Sequence, residues 1–67
     1  MNNFKIVLEK ELKKHNLSQI KFAEKMNVTQ QCVSAWLQGS REPRLTMFIK
    51  ICEFFELTPN ELLGIEE

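Results

Sequence analysis

Apolar residues recur along this chain at intervals of three and four, the spacing of one helix face, and no stretch alternates as a strand would. Phe4, Val7, Leu8 and Leu12 fall on one side of a first helix over residues 4–14. Lys13, Lys14 and His15 close it, where cations suit the negative end of the helix dipole. Ser18 is the expected N-cap of a second helix, with Ile20, Phe22, Ala23 and Met26 inward. Thr29 caps a third, whose apolar side carries Val33, Trp36 and Leu37, and Gly39 stops it. Beyond Pro43, a fourth helix over residues 45–55 is expected to turn Leu45, Phe48, Ile49, Ile51, Cys52 and Phe55 inward. Met47 and Phe54 then fall outward. Thr58-Pro59-Asn60-Glu61 combines an N-cap, a first-position proline and a capping-box glutamate, opening a short fifth helix that ends at Gly64. With every connection short, the pattern predicts an all-α fold, a compact five-helix bundle forming one domain over residues 1–67.

Residues 19–38, QIKFAEKMNVTQQCVSAWLQ, stand out as two short helices meeting at a tight turn, a helix-turn-helix. Ala23 is small where the second helix must cross closely, and Asn27 sits where the backbone needs a positive φ, which Asn tolerates. At about 100° per residue, Gln31, Ser34, Ala35 and Gln38 lie opposite Val33 and Trp36, and Gln30 is lateral in the first turn. A solvated helix often carries such residues idly. Placed after this turn, they fit a helix laid in the DNA major groove, with its first turn foremost. Gln pairs bidentately with adenine, and an Ala methyl suits a thymine methyl. Gln30, Gln31, Ser34 and Ala35 are therefore the expected base-reading residues. Gln19 at the second helix's start, Ser40, Arg41 and Arg44 around the loop, and Thr29 and Gln38 at the third helix's ends are the expected phosphate contacts. Trp36 is expected in the core, since its side of the helix is shared with Val33.

The bulk numbers narrow the alternatives. At 67 residues the chain approaches the lower limit for a self-sufficient core, leaving no room for an enclosed cofactor pocket. No apolar run nears a membrane span and no signal-peptide region opens the chain, so a cytoplasmic location is expected, with no membrane partner. Cys32 and Cys52 lack CxxC spacing and a nearby His pair, so no metal is expected and the thiols read as structural. With no Asp, a single His and no Gly-rich phosphate loop, an enzyme is not expected, nor is a cofactor or small-molecule ligand. His15 reads as an exposed helix-end residue. Net charge is zero, yet all nine Lys and Arg and four of the nine Glu precede Ile51, whereas the remaining five Glu follow it. A basic face and an acidic carboxyl-terminal segment can hide in that total.

With these residues in view, the chain resembles the Cro/C1-type (Xre) helix-turn-helix family of phage and bacterial transcriptional repressors, over about residues 5–64. LSQIKFAEKMNVTQQCVSAWLQGSREP is similar to the family's core motif, and TPNELLG to its fifth-helix ending. The resemblance implies a lambda-repressor-like DNA-binding bundle that acts as a homodimer on a roughly palindromic double-stranded operator. It implies that Gln19 contacts phosphate and that Gln30, Gln31 and the Ser34–Ala35 region face bases. Phe54, Leu63 and Ile65 are candidates for the dimer contact. Asn27 departs from the more usual turn Gly, and Ala35 stands where some relatives carry a third long polar reader. Leu37 departs from a Glu that many members pair with a first-helix Arg, so an apolar contact with Leu12 is expected instead. The competing expectation is a protein-interaction module on the same fold, an antitoxin or anti-repressor partner, using Met47, Phe54 and the acidic segment.

Overall fold

Side chains cap helix starts at Ser18, Thr29 and Thr58, and left-handed residues end four of the five helices. The computed structural model describes residues 3–65, so Glu66 and Glu67 of the acidic segment lie outside the described residues. The chain forms α1 (Phe4–Lys14), α2 (Gln19–Met26), α3 (Gln30–Gln38), α4 (Leu45–Phe55) and α5 (Pro59–Leu63), with no strand among the described residues. The Ser18 hydroxyl accepts from the Lys21 amide at 3.1 Å, and the Thr29 hydroxyl from the Cys32 amide at 3.2 Å. At α5 the capping box is complete. The Glu61 amide donates to the Thr58 hydroxyl at 3.1 Å while the Thr58 amide donates to the Glu61 carboxylate at 2.8 Å. Left-handed residues end α2 at Asn27, α3 at Gly39, α4 at Glu56 and α5 at Gly64. All five helices of the sequence-based expectation are present.

Leu8, Phe22, Val33, Ile51 and Leu62 are the largest fully buried side chains, one from each helix. Burial of a side chain of this size stabilises by about 1.5–3 kcal/mol. Phe4, Leu12, Ala23, Met26, Trp36, Phe48, Cys52 and Phe55 complete the core, which confirms Trp36 as a packing residue. Phe22 stacks on Phe55 with centroids 5.5 Å apart. Phe54 stands edge-on to Phe55 at 4.9 Å and to Phe22 at 5.8 Å, so this outward residue still covers the aromatic cluster. The chain ends are tied together by the Asn3 amide, which donates to the Leu63 carbonyl at 3.0 Å. Gly64 has φ 72°, and a Cβ there would lie 2.7 Å from Asn3 Cβ, so this approach excludes a side chain.

Three residues expected inward are exposed: Ile20 at 54%, Leu45 at 72% and Ile49 at 45%. Helical geometry places Ile20 about 160° from Phe22, on the outside of α2. On α4, Phe48, Ile51, Cys52 and Phe55 already fill the inward arc, which leaves Leu45 and Ile49 on its flank. A further difference is Glu11, which is buried, with its carboxylate 3.5 Å from His15 Nε2. The imidazole lies 5.3 Å from the Phe55 ring, so His15 is exposed on one side and packed on the other.

Glu56 takes φ 56° with a full side chain. The left-handed region costs an ordinary residue about 1–2 kcal/mol, of which the entropy of a glycine would offset about 0.5–1 kcal/mol. Glu56→Gly is therefore expected to raise the thermal unfolding midpoint by a few degrees, whereas Asn27→Gly leaves it nearly unchanged. A lowered midpoint for Glu56→Gly in calorimetry would contradict the assignment of strain to this position.

Candidate nucleic-acid interface

The turn between α2 and α3 is closed by backbone bonds. The Asn27 amide donates to the Glu24 carbonyl at 3.2 Å, and the Val28 amide to the Ala23 carbonyl at 3.0 Å. Asn27 adopts φ 59° and ψ 43°, the left-handed geometry expected of it. Ala23 is buried, and α2 packs against α3 more extensively than any other pair of helices. Held this way, α3 buries Val33 and Trp36 and keeps the opposite side outward. Gln30, Gln31 and Gln38 are exposed, and Ser34 and Ala35 are half-buried between them. The Ser34 hydroxyl accepts from the Gln38 side-chain amide (Nε2) at 3.5 Å, along the exposed surface of the helix.

The loop after α3 returns along the same helix because one carbonyl gathers it in. Ala35 O accepts from the Ser40 amide at 3.1 Å, the Ser40 hydroxyl at 3.4 Å and the Arg41 amide at 3.4 Å. Gly39 at φ 80° permits the reversal. Arg41 is thereby exposed beside Thr29, Gln31 and Ala35, around one shallow depression. Arg44, the N-cap residue of α4, is exposed at the rim of the adjoining groove with Arg41. On the other flank of α3, Gln19, Ser34 and Gln38 share a second depression with Lys13. Leu12 and Leu37, expected to meet as an apolar pair, line that depression too. Thr29 is exposed, with its hydroxyl already accepting the cap bond.

The residues named from the sequence for contact with DNA thus gather on α3 and its two flanks. Phe54, Leu63 and Ile65 lie elsewhere, on α4 and the end of α5. Phe54 is 37% and Ile65 42% exposed, and Leu63 is packed against the core. Lys13 and Cys32 also border the α3 surface, and neither was singled out as a contact from sequence. Lys13 reads there as a dipole partner and Cys32 as an inert thiol. Both cysteines are free, Cys32 half-buried and Cys52 buried. Burial pushes the Cys52 thiol above its ordinary range, a backbone hydrogen bond opposes this, and the Glu53 charge adds to it. Among the described residues, no group of three or more His, Cys, Asp or Glu side chains could hold a metal ion. Nor is any helix there long and apolar enough to cross a membrane.

An exposed amide-bearing helix, held outward by a partner helix and flanked by a loop carrying Arg41 and Arg44, defines a helix-turn-helix domain. The helix-turn-helix family model matches residues 8–62, and the chain belongs to that family, in its Cro/C1-type branch. No curated protein matches the chain. Among solved structures it is similar to a transcriptional regulator from Listeria innocua, with a TM-score of 0.88 and 28% identity over 96% of this chain. The chain spans 60% of the length of that regulator.

Thr29 positions the first turn of α3, so its loss is expected to loosen the surface that carries Gln30 and Gln31. Thr29→Ala is expected to cost about 0.5–2 kcal/mol in denaturant unfolding, with Thr29→Ser close to the parent. Equal losses for both variants would show that the hydroxyl bond contributes nothing.

Proposed function

We propose that this protein is a sequence-specific DNA-binding transcriptional regulator, a repressor acting in the cytoplasm as a homodimer. It is a binding protein rather than an enzyme. The observation that carries this reading is the outward amide surface of α3, with Val33 and Trp36 buried beneath it, in a chain of the helix-turn-helix family. Likeness to a protein described as a transcriptional regulator supports it. In this reading α3 enters the major groove of double-stranded DNA and Gln30, Gln31, Ser34 and Ala35 meet base edges. Gln19, Thr29, Gln38, Ser40, Arg41 and Arg44 meet phosphates, which set register and salt dependence. Two copies bind a roughly palindromic site, with their α3 helices about 34 Å apart. Phe54, Leu63 and Ile65 take part in the contact between copies.

One observation favours a second reading. Leu45 and Ile49 lie four residues apart on α4 and are 72% and 45% exposed, an apolar strip that a protein partner could cover. An interaction module would use this strip and leave the glutamines idle. Salt separates the two, because DNA affinity falls steeply with ionic strength and apolar burial does not.

Selection of duplexes from a random pool by the purified protein tests the proposal, and enrichment of a two-fold-related motif is the expected result. On that motif, Gln31→Ala is expected to lose about 1–3 kcal/mol of preference at one base position while non-specific binding persists. Equal weakening on all duplexes would remove Gln31 from the base-reading set. Arg41→Ala is expected to weaken binding on every sequence and to lower the slope of log affinity against log salt by about one. An unchanged slope would show that Arg41 does not meet phosphate.

A further inference from the structure

We propose that Lys13 is a phosphate contact on the α1-facing flank of α3, giving the bound helix a cationic contact on each side. The inference rests on the DNA-binding function proposed above and adds to it a residue and a surface. A helix lying in a major groove about 12 Å wide is bordered by both phosphate strands, so negative charge faces it from two sides. On one side of α3 stand Arg41 and Arg44. On the other, the phosphate contacts assigned so far are Gln19 and Gln38, both neutral amides. Lys13 lines the same depression as Gln19, Ser34 and Gln38, and it is the one cation among the described residues that do so. Leu12 and Leu37, in the same depression, bring no charge.

The Lys13 side chain is 76% exposed and its ammonium lies 3.2 Å from a Glu9 carboxylate oxygen, itself on an exposed side chain. Exposed pairs of this kind are weak and screened by salt, so the ammonium can pass from Glu9 to a phosphate. Glu9 holds Lys13 near the depression and also opposes DNA by its own charge. The neighbouring Lys14 provides an internal comparison. It follows Val7 by seven residues, on the side of α1 where Val7 Cγ2 lies 3.4 Å from the Cβ position of Gly64. Lys14 therefore lies on the Val7 side of α1 rather than the Lys13 side, while contributing the same unit charge to the long-range field.

The experiment measures affinity against salt for the intact protein, Lys13→Gln, Lys14→Gln and Glu9→Gln on a selected duplex and a scrambled one. Unchanged thermal midpoints establish that these exposed substitutions leave the fold intact. Lys13→Gln is expected to lower the log–log slope by about one and to weaken both duplexes by the same factor. Lys14→Gln is expected to keep the parental slope, and Glu9→Gln to bind more tightly than the parent. A parental slope for Lys13→Gln, or an equal loss of slope for Lys14→Gln, would overturn the contact and leave the DNA-binding function standing. Absence of salt-dependent DNA binding by the parent would overturn both.

Discussion

Close packing of Ala23 on α2 against α3, across a left-handed residue at Asn27, is the constraint on which the interface rests. A larger side chain at residue 23 would push the helices apart, and a β-branched residue at 27 would resist φ 59°. With both conditions met, Val33 and Trp36 have one place to go, under α3 and into the core. The polar side of the same helix then has no option but solvent. Exposure of Gln30 and Gln31 is thus a consequence of packing. The single carbonyl of Ala35 extends the effect by folding Ser40 and Arg41 back beside the helix.

Charge follows the same logic on a larger scale. A net charge of zero conceals cations placed next to α3 and glutamates gathered after Ile51. Of those glutamates, Glu61 caps α5, and its work is local rather than electrostatic at long range. Glu11 is different again, since it is buried beside His15, whose ring lies against Phe55 of α4. A domain this small has few kcal/mol to spare, and single caps and pairs count for a visible fraction of its stability.

Much of this was legible in the chain because caps and stops are local chemistry. Ser18, Thr29 and Thr58 marked helix starts, and Asn27, Gly39 and Gly64 marked ends, each by a bond or a dihedral that depends on a few neighbouring residues. The outward side of α3 was legible for a related reason, as its apolar and polar positions separate cleanly. On α4 they do not. Leu45, Met47, Phe48, Ile49, Ile51, Cys52, Phe54 and Phe55 surround the helix, so periodicity alone could not tell that Leu45 and Ile49 stay exposed. Glu11 was hidden likewise, because a Glu four residues before a His reads as a solvated pair until Phe55 is known to lie beside it. Lys13 needed three dimensions, since nothing local connects the end of α1 with Ser34 and Gln38.

Side-chain amide resonances of Gln30, Gln31 and Gln38, followed by nuclear magnetic resonance while a selected duplex is added, report on the α3 surface itself. If α3 reads DNA, these signals shift in a saturable way and change again when single base pairs of the site are exchanged. Signals from α3 that stay fixed while those of Leu45 and Ile49 move would contradict it, and would place the binding surface on α4.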